Sequence, residues 1–124
     1  MKLIETNDAP LPRGHYSQAV VSNGLVFVAG ILPIIPNTNR QLPDGIKPQV
    51  EQVLNNLEAI LKASGSNLQK LISVQIFIPN PDYWTDVNEV YAKYLGNHRP
   101  ARTVIPCGPL SANSMLELNA VAEV

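Results

Sequence analysis

Arg99-Pro100-Ala101-Arg102-Thr103-Val104-Ile105-Pro106-Cys107, followed after a short loop by Met115-Leu116-Glu117-Leu118-Asn119-Ala120-Val121-Ala122-Glu123-Val124, reads as two β-strands. In the second, Leu116, Leu118, Ala120, Ala122 and Val124 form one alternating face and Met115, Glu117, Asn119, Val121 and Glu123 the other, which is the period of a strand. Glu117 therefore points away from the core. Arg102 follows a Pro-Ala pair that holds the chain extended, so an arginine and a carboxylate are expected on adjacent strands of one sheet.

Working outward, residues 2–6 read as a short edge strand and Asn7 to Gly14 as a turn-rich connector broken by Pro10, Pro12 and Gly14. His15–Val21 and Leu25–Gly30 flank Ser22-Asn23-Gly24, a hairpin whose Asn-Gly pair supplies the positive-φ turn. Ile31 to Gly45 carries three prolines and is expected as an irregular loop, part of it buried because an Ile-rich loop is unfavourable in water.

Val50, Val53, Leu54, Leu57, Ile60 and Leu61 then recur three and four apart, with Glu51, Gln52, Asn55, Asn56, Glu58 and Lys62 on the opposite side: an amphipathic helix, with Pro48 in its first turn and Gly65 at its end. Lys70–Ile78 predicts a strand with Ile72, Val74, Ile76 and Ile78 inward. Asp82 is the expected N-cap of a second helix that buries Trp84, Val87, Val90, Tyr91, Tyr94 and Leu95 and stops at Gly96. The order β-ββ-α-β-α-ββ predicts an α+β fold, one domain over 1–124, with both helices on one face of the sheet.

The uncovered face is then occupied by Phe27, Ala29, Phe77, Val104, Met115 and Val121, interleaved with Ser17, Ser73, Gln75, Arg102, Glu117 and Asn119. That mixture of apolar surface and a few convergent polar groups describes an oligomer interface with a ligand cleft.

Composition narrows the chemistry. Nine Lys plus Arg against ten Asp plus Glu leave a net charge of −1, scattered without the basic stripe that attracts a nucleic-acid backbone. No apolar run approaches the roughly 20 residues of a membrane span, and the start of the chain lacks an apolar signal core, so the expectation is a cytoplasmic protein without membrane or nucleic-acid partners. Cys107 is the single cysteine, and His15 and His98 share no ligand spacing, which leaves metal-assisted hydrolysis little to stand on.

Arg102 suits bidentate capture of a carboxylate, or equally a surface ion pair. Glu117 is either its neutralising partner or a group with chemistry of its own, and spacing leaves both open. Tyr16 serves as strand filler, Asn88 as an ordinary helix-flank residue, Cys107 as a buried thiol and Gly30 as a tight backbone position.

More specific are five motifs. Gly14-His15-Tyr16-Ser17-Gln18-Ala19-Val20, Val28-Ala29-Gly30 with Pro33, Val87-Asn88-Glu89-Val90-Tyr91, Pro100-Ala101-Arg102-Thr103, and Leu116-Glu117-Leu118-Asn119-Ala120-Val121-Ala122 together resemble, in order, those of the RidA/YjgF family of reactive-intermediate deaminases. The resemblance implies a chorismate-mutase-like fold assembled as a homotrimer with clefts between subunits. It also implies hydrolysis of 2-iminopropanoate- and 2-iminobutanoate-type imines or enamines to 2-oxo acids and ammonia, without metal or organic cofactor.

By position, Arg102 would hold the substrate carboxylate and Glu117 would position or activate water. Tyr16, Ala29 and Gly30 would line the pocket, Asn88 would support it, and Val104 would contribute its backbone carbonyl. Ala29, Val104 and Ser111 stand where well-defined imine deaminases of the family commonly carry Ser, Cys and Pro. Two other classes compete: a non-catalytic trimer that binds small carboxylates or a partner protein, and an endoribonuclease or translation inhibitor, a label that travels with the family.

Overall fold

Asn23 and Gly24 take φ of 52° and 76°, the pair of positive angles that a two-residue hairpin turn requires, and so join strand β2 (Ala19–Ser22) to β3 (Leu25–Ile31). In the computed structural model, which describes all 124 residues, the remaining elements are β1 (Lys2–Ile4), helix α1 (Ile46–Ala63), β4 (Leu71–Ile78), helix α2 (Trp84–Leu95), β5 (Ala101–Pro106) and β6 (Glu117–Glu123). The fold is α+β, as the periodicities predict. β2 begins at Ala19 rather than His15, because Gln18 is given over to the connector: its side chain accepts from Thr6 N–H at 2.7 Å and donates to the carbonyls of Thr6 and Pro10 at 3.0 and 2.8 Å.

One six-stranded sheet runs in the order β1-β2-β3-β6-β4-β5. Only β4 and β5 are parallel, linked by α2; every other pair is antiparallel. β6 therefore occupies the centre, and β4 separates it from β5. The expected adjacency of the Arg102 and Glu117 strands is corrected accordingly.

Both helices pack on one face. Val50, Val53, Leu54, Leu57 and Leu61 of α1 and Val87, Val90 and Leu95 of α2 meet Val26, Val28, Val74, Ile76, Leu118 and Ala120 in a single core. α1 ends as predicted: Gly65 (φ 80°) and Ser66 donate to the carbonyls of Lys62 and Leu61 at 3.1 and 2.8 Å. Neither helix is long and apolar enough to cross a membrane.

Several expectations fail for identifiable reasons. Ile72 is 41% exposed because a bulge between Leu71 and Ser73 reverses the parity of β4 there, putting Leu71 in the core instead. Asp82 is not the helix cap; Asn80 is the capping side chain, accepting from Asp82 N–H at 2.9 Å ahead of a 3₁₀ turn over Pro81–Tyr83. Trp84 and Val124 are both about half-exposed rather than buried.

Asn56, expected in water, is 1% exposed. It donates to the carbonyls of Leu32 and Ile34 at 3.1 and 2.9 Å and accepts from Gln52 at 2.9 Å, pinning the Ile-rich loop to α1. Ile34 of that loop is buried, as expected for part of it.

Candidate active site

Register divides the candidate residues into two groups. Arg102 aligns with Val74, Ala120 and Val28 across the sheet, whereas Glu117 aligns with Phe77 and Ile105. Residues opposite one another on neighbouring strands share a face. Val74, Ala120 and Val28 are core residues, so Arg102 projects to the helix side. Val104, aligned with buried Ile76 and Leu118, does the same. Glu117, an odd number of residues from Ala120, projects to the open side. The expectation that Arg102 and Val104 share the open face with Glu117 is therefore corrected.

On the helix side, α2 receives the arginine. Trp84, Asn88 and Tyr91 recur four and three apart on one flank of that helix. Arg102 Nη1 donates to Asn88 Oδ1 at 3.0 Å, and the guanidinium carbon lies 4.8 Å from the Tyr91 ring centre and 5.9 Å from that of Trp84. Half-buried and without a carboxylate partner, Arg102 borders a groove of about 460 Å³ shared with Asn88, Tyr91, His98 and Arg99. The Tyr91 hydroxyl is buried with no hydrogen-bond partner, and burial pushes its pKa up, partly offset by the neighbouring guanidinium. The Trp84/Tyr91 platform was readable only as helix periodicity, which assigns both residues to the core.

On the open side, a bulge between Val28 and Ile31 presents Ala29 and Gly30 to the surface. Ala29 N–H donates to the Gln18 carbonyl at 3.0 Å. Glu117 lies directly over Gly30: a β-carbon added there would stand 3.2 Å from Glu117 Cδ and closer still to Oε2. Gly30 is thus required by close approach of a side chain rather than by its backbone angles.

Glu117, Gly30, Ala29 and Tyr16 line one cleft of about 410 Å³, together with Arg13, Leu32, Arg40 and Ser111. Partial burial raises the pKa of Glu117, with no ion pair to counter it. The structural salt bridge between Arg102 and Glu117 does not form within the chain.

The structure thus brings Tyr16, Ala29, Gly30 and Glu117 together, and separately Arg102 and Asn88, with Val104 two residues along β5. Arg13 and Arg40 carry no motif or periodicity that would have marked them. Cys107 borders a different groove, beside Pro79, Tyr83 and Met115. Nowhere do three or more His, Cys, Asp or Glu side chains gather as a metal site would need.

Comparison with known proteins agrees with this architecture. The family model described as Endoribonuclease L-PSP matches residues 6–124. The chain is 38% identical over 121 residues to a RutC family protein of Pyrococcus horikoshii, covering 98% of this chain and 96% of that one. It is 36% identical over 121 residues to the chloroplastic Reactive Intermediate Deaminase A of Arabidopsis thaliana, covering 98% of this chain and 65% of that one. The crystal structure of E. coli TdcF with bound serine superposes with a TM-score of 0.94 at 30% identity, over 100% of this chain and 99% of the other.

Proposed function

Because this chain belongs to the RidA/YjgF family of reactive-intermediate deaminases, we propose that it hydrolyses short-lived 2-imino and 2-enamino acids to 2-oxo acids and ammonia. The reaction takes place in clefts formed between copies of the chain in a homotrimer, each copy acting as one domain over residues 1–124. The observation that carries this is the placement of Arg102 and Glu117. Both lack an ion-pair partner, and they stand on opposite faces of the sheet with β4 between their strands. A cation for the substrate carboxylate and a carboxylate for water therefore meet only when the open face of one copy closes on the Arg102 edge of the next. Phe27 and Ile72, 47% and 41% exposed, give that open face apolar surface to bury.

Within the shared cleft, the proposed roles are those that family membership implies for these positions. Arg102 spends one N–H on Asn88 and lies over Tyr91, which fixes the guanidinium plane and leaves its other donors for a carboxylate. The protonated C=N carbon is already electrophilic, so orientation and proton handling are the main requirements. Glu117, its pKa raised by burial, takes a proton from the attacking water as the C–O bond forms. The proton then goes to nitrogen; as the C–N bond breaks, the carbinolamine hydroxyl gives its proton to Glu117, leaving the 2-oxo acid, and Glu117 passes that proton to the departing ammonia, which leaves as ammonium. Tyr16, Ala29 and Gly30 wall the cleft, and the Val104 carbonyl holds the water. The serine bound to TdcF carries a carboxylate and an amino group on one carbon, the same substituents as the substrate proposed here.

The test generates 2-iminobutanoate in situ with threonine dehydratase and follows 2-oxobutanoate. The protein should speed its appearance, and neither Arg102→Ala nor Glu117→Gln should. Co-refolding the two inactive variants should restore part of the rate, because mixed trimers contain some intact clefts. No acceleration with several imino acids, or an unimpaired Arg102→Ala, counts against deamination; failure of the mixture to recover counts against a shared cleft. Ala29, which lacks a hydroxyl, favours a second reading as a carboxylate-binding trimer, and calorimetry with 2-oxobutanoate in the absence of turnover would identify it. Nuclease activity, named by the family description, lacks the basic surface that RNA would need.

A further inference from the structure

The cleft that holds Glu117 also holds two guanidinium groups that the mechanism leaves unused, those of Arg13 and Arg40. Neither is in an ion pair, and the adjoining groove that they also border contains no acidic residue. Neither guanidinium is within salt-bridge distance of Glu117, so both remain available to a ligand in the cleft that the three residues line.

Arg40 is tethered. Its φ of 56° is a left-handed conformation that a side chain adopts at a cost, and its Nη2 donates to Oγ of Ser111, another residue lining the cleft, at 3.0 Å. The loop beneath it is closed by its own bonds. Ile35 N–H donates to the Gln41 carbonyl at 2.8 Å, the Thr38 hydroxyl to the Ile35 carbonyl at 2.6 Å, and Gln41 N–H to Thr38 Oγ1 at 3.2 Å. Asn56 pins the root of the same loop. A preorganised, unneutralised guanidinium facing a cleft is suited to binding an anion.

We propose that Arg40, supported by Arg13, is a specificity-determining anion site that selects imino acids carrying a second carboxylate on the side chain, the imines of acidic amino acids. This rests on the deaminase reading for the role of Arg102, which would take the carboxylate next to the reacting carbon while Arg40 takes the distal one.

Calorimetry on the assembled protein compares 2-oxoglutarate with 2-oxobutanoate. The dicarboxylate is expected to bind about tenfold or more tightly, the margin of one charge-assisted hydrogen-bond pair. Arg40→Gln should erase that ratio, Arg40→Lys should keep part of it, and Ser111→Ala, which cuts only the tether, should lower it less. Equal affinities in the wild type, or a ratio that survives Arg40→Gln, overturns the proposal. A dicarboxylate preference that Arg40→Gln removes supports the anion site even if no imine is turned over, a result that would sink the deaminase reading alone. Imine clearance without any dicarboxylate preference sinks only the anion site.

Discussion

Gly30→Ala isolates the placement of Glu117 from its chemistry. The new methyl would stand 3.2 Å from Glu117 Cδ and closer to Oε2, inside the roughly 3.5 Å at which carbon contacts are comfortable. What it meets is the far end of a side chain bordering an open cleft, so the carboxylate swings aside by about an ångström rather than forcing β3 and β6 apart. Displacement of a catalytic group on that scale lowers turnover by about 100-fold. Stability should change by no more than about 1 kcal/mol, the strand-interior glycine itself being a small liability. The assay pairs 2-iminobutanoate clearance with a urea titration of the same sample. Slow turnover with unchanged carboxylate affinity and an unchanged unfolding midpoint is expected. Full activity in a well-folded Gly30→Ala protein would refute the idea that the position of Glu117 above Gly30 matters.

Two further predictions concern stability. Asn56→Ala leaves the Leu32 and Ile34 carbonyls without their donor, one bond buried and the other partly so, and should cost about 2–4 kcal/mol. Asn55→Ala, one residue earlier and exposed, removes only the acceptor of the Tyr94 hydroxyl and should cost no more than about 1 kcal/mol, and urea midpoints that do not separate the two contradict the anchoring role of Asn56. Glu117 has a folded-state pKa above its unfolded one, so its contribution is fully present below the unfolded pKa and is lost as pH rises through the folded pKa. Glu117→Gln should therefore melt higher than the wild type at pH 7, with the gap closing as pH falls to about 4, near the unfolded carboxylate value. A gap that widens on acidification would mean that the folded state favours the ionised form.

Local pattern carried much of this fold. The parity of β6, the hairpin turn at Asn23-Gly24 and the stripe of α1 are each set by residues within a few positions of one another, where periodicity speaks directly. Ile72 defeated the same logic because a bulge inserts a residue without leaving a compositional mark. Asn56 and Asn55 are the same residue on the same helix, yet the first is buried against the loop arriving from elsewhere and the second sits exposed, accepting from the Tyr94 hydroxyl at 3.0 Å. The strand order is not legible either: strands consecutive in sequence suggest that Arg102 and Glu117 are neighbours, whereas β6 pairs with β3 and β4. At the candidate site, motif resemblance named Tyr16, Ala29, Gly30 and Glu117, which do converge. Arg13 and Arg40 belong to no such motif and border the same cleft only once their two connectors have folded.

The placement of β6 between β3 and β4 bears on how the molecule is made. A ribosome delivers β1 to β3 and then β4 with β5 as two incomplete ladders, whose inner rims stay unpaired until the stretch that begins at Glu117 emerges. Sheet closure is thus deferred until the last of the six strands in chain order is made, and a nascent chain stalled before that point exposes two rims open to strand addition by other chains. The segment that completes the architecture is also the one that carries Glu117, so a polypeptide truncated before that residue loses both at once.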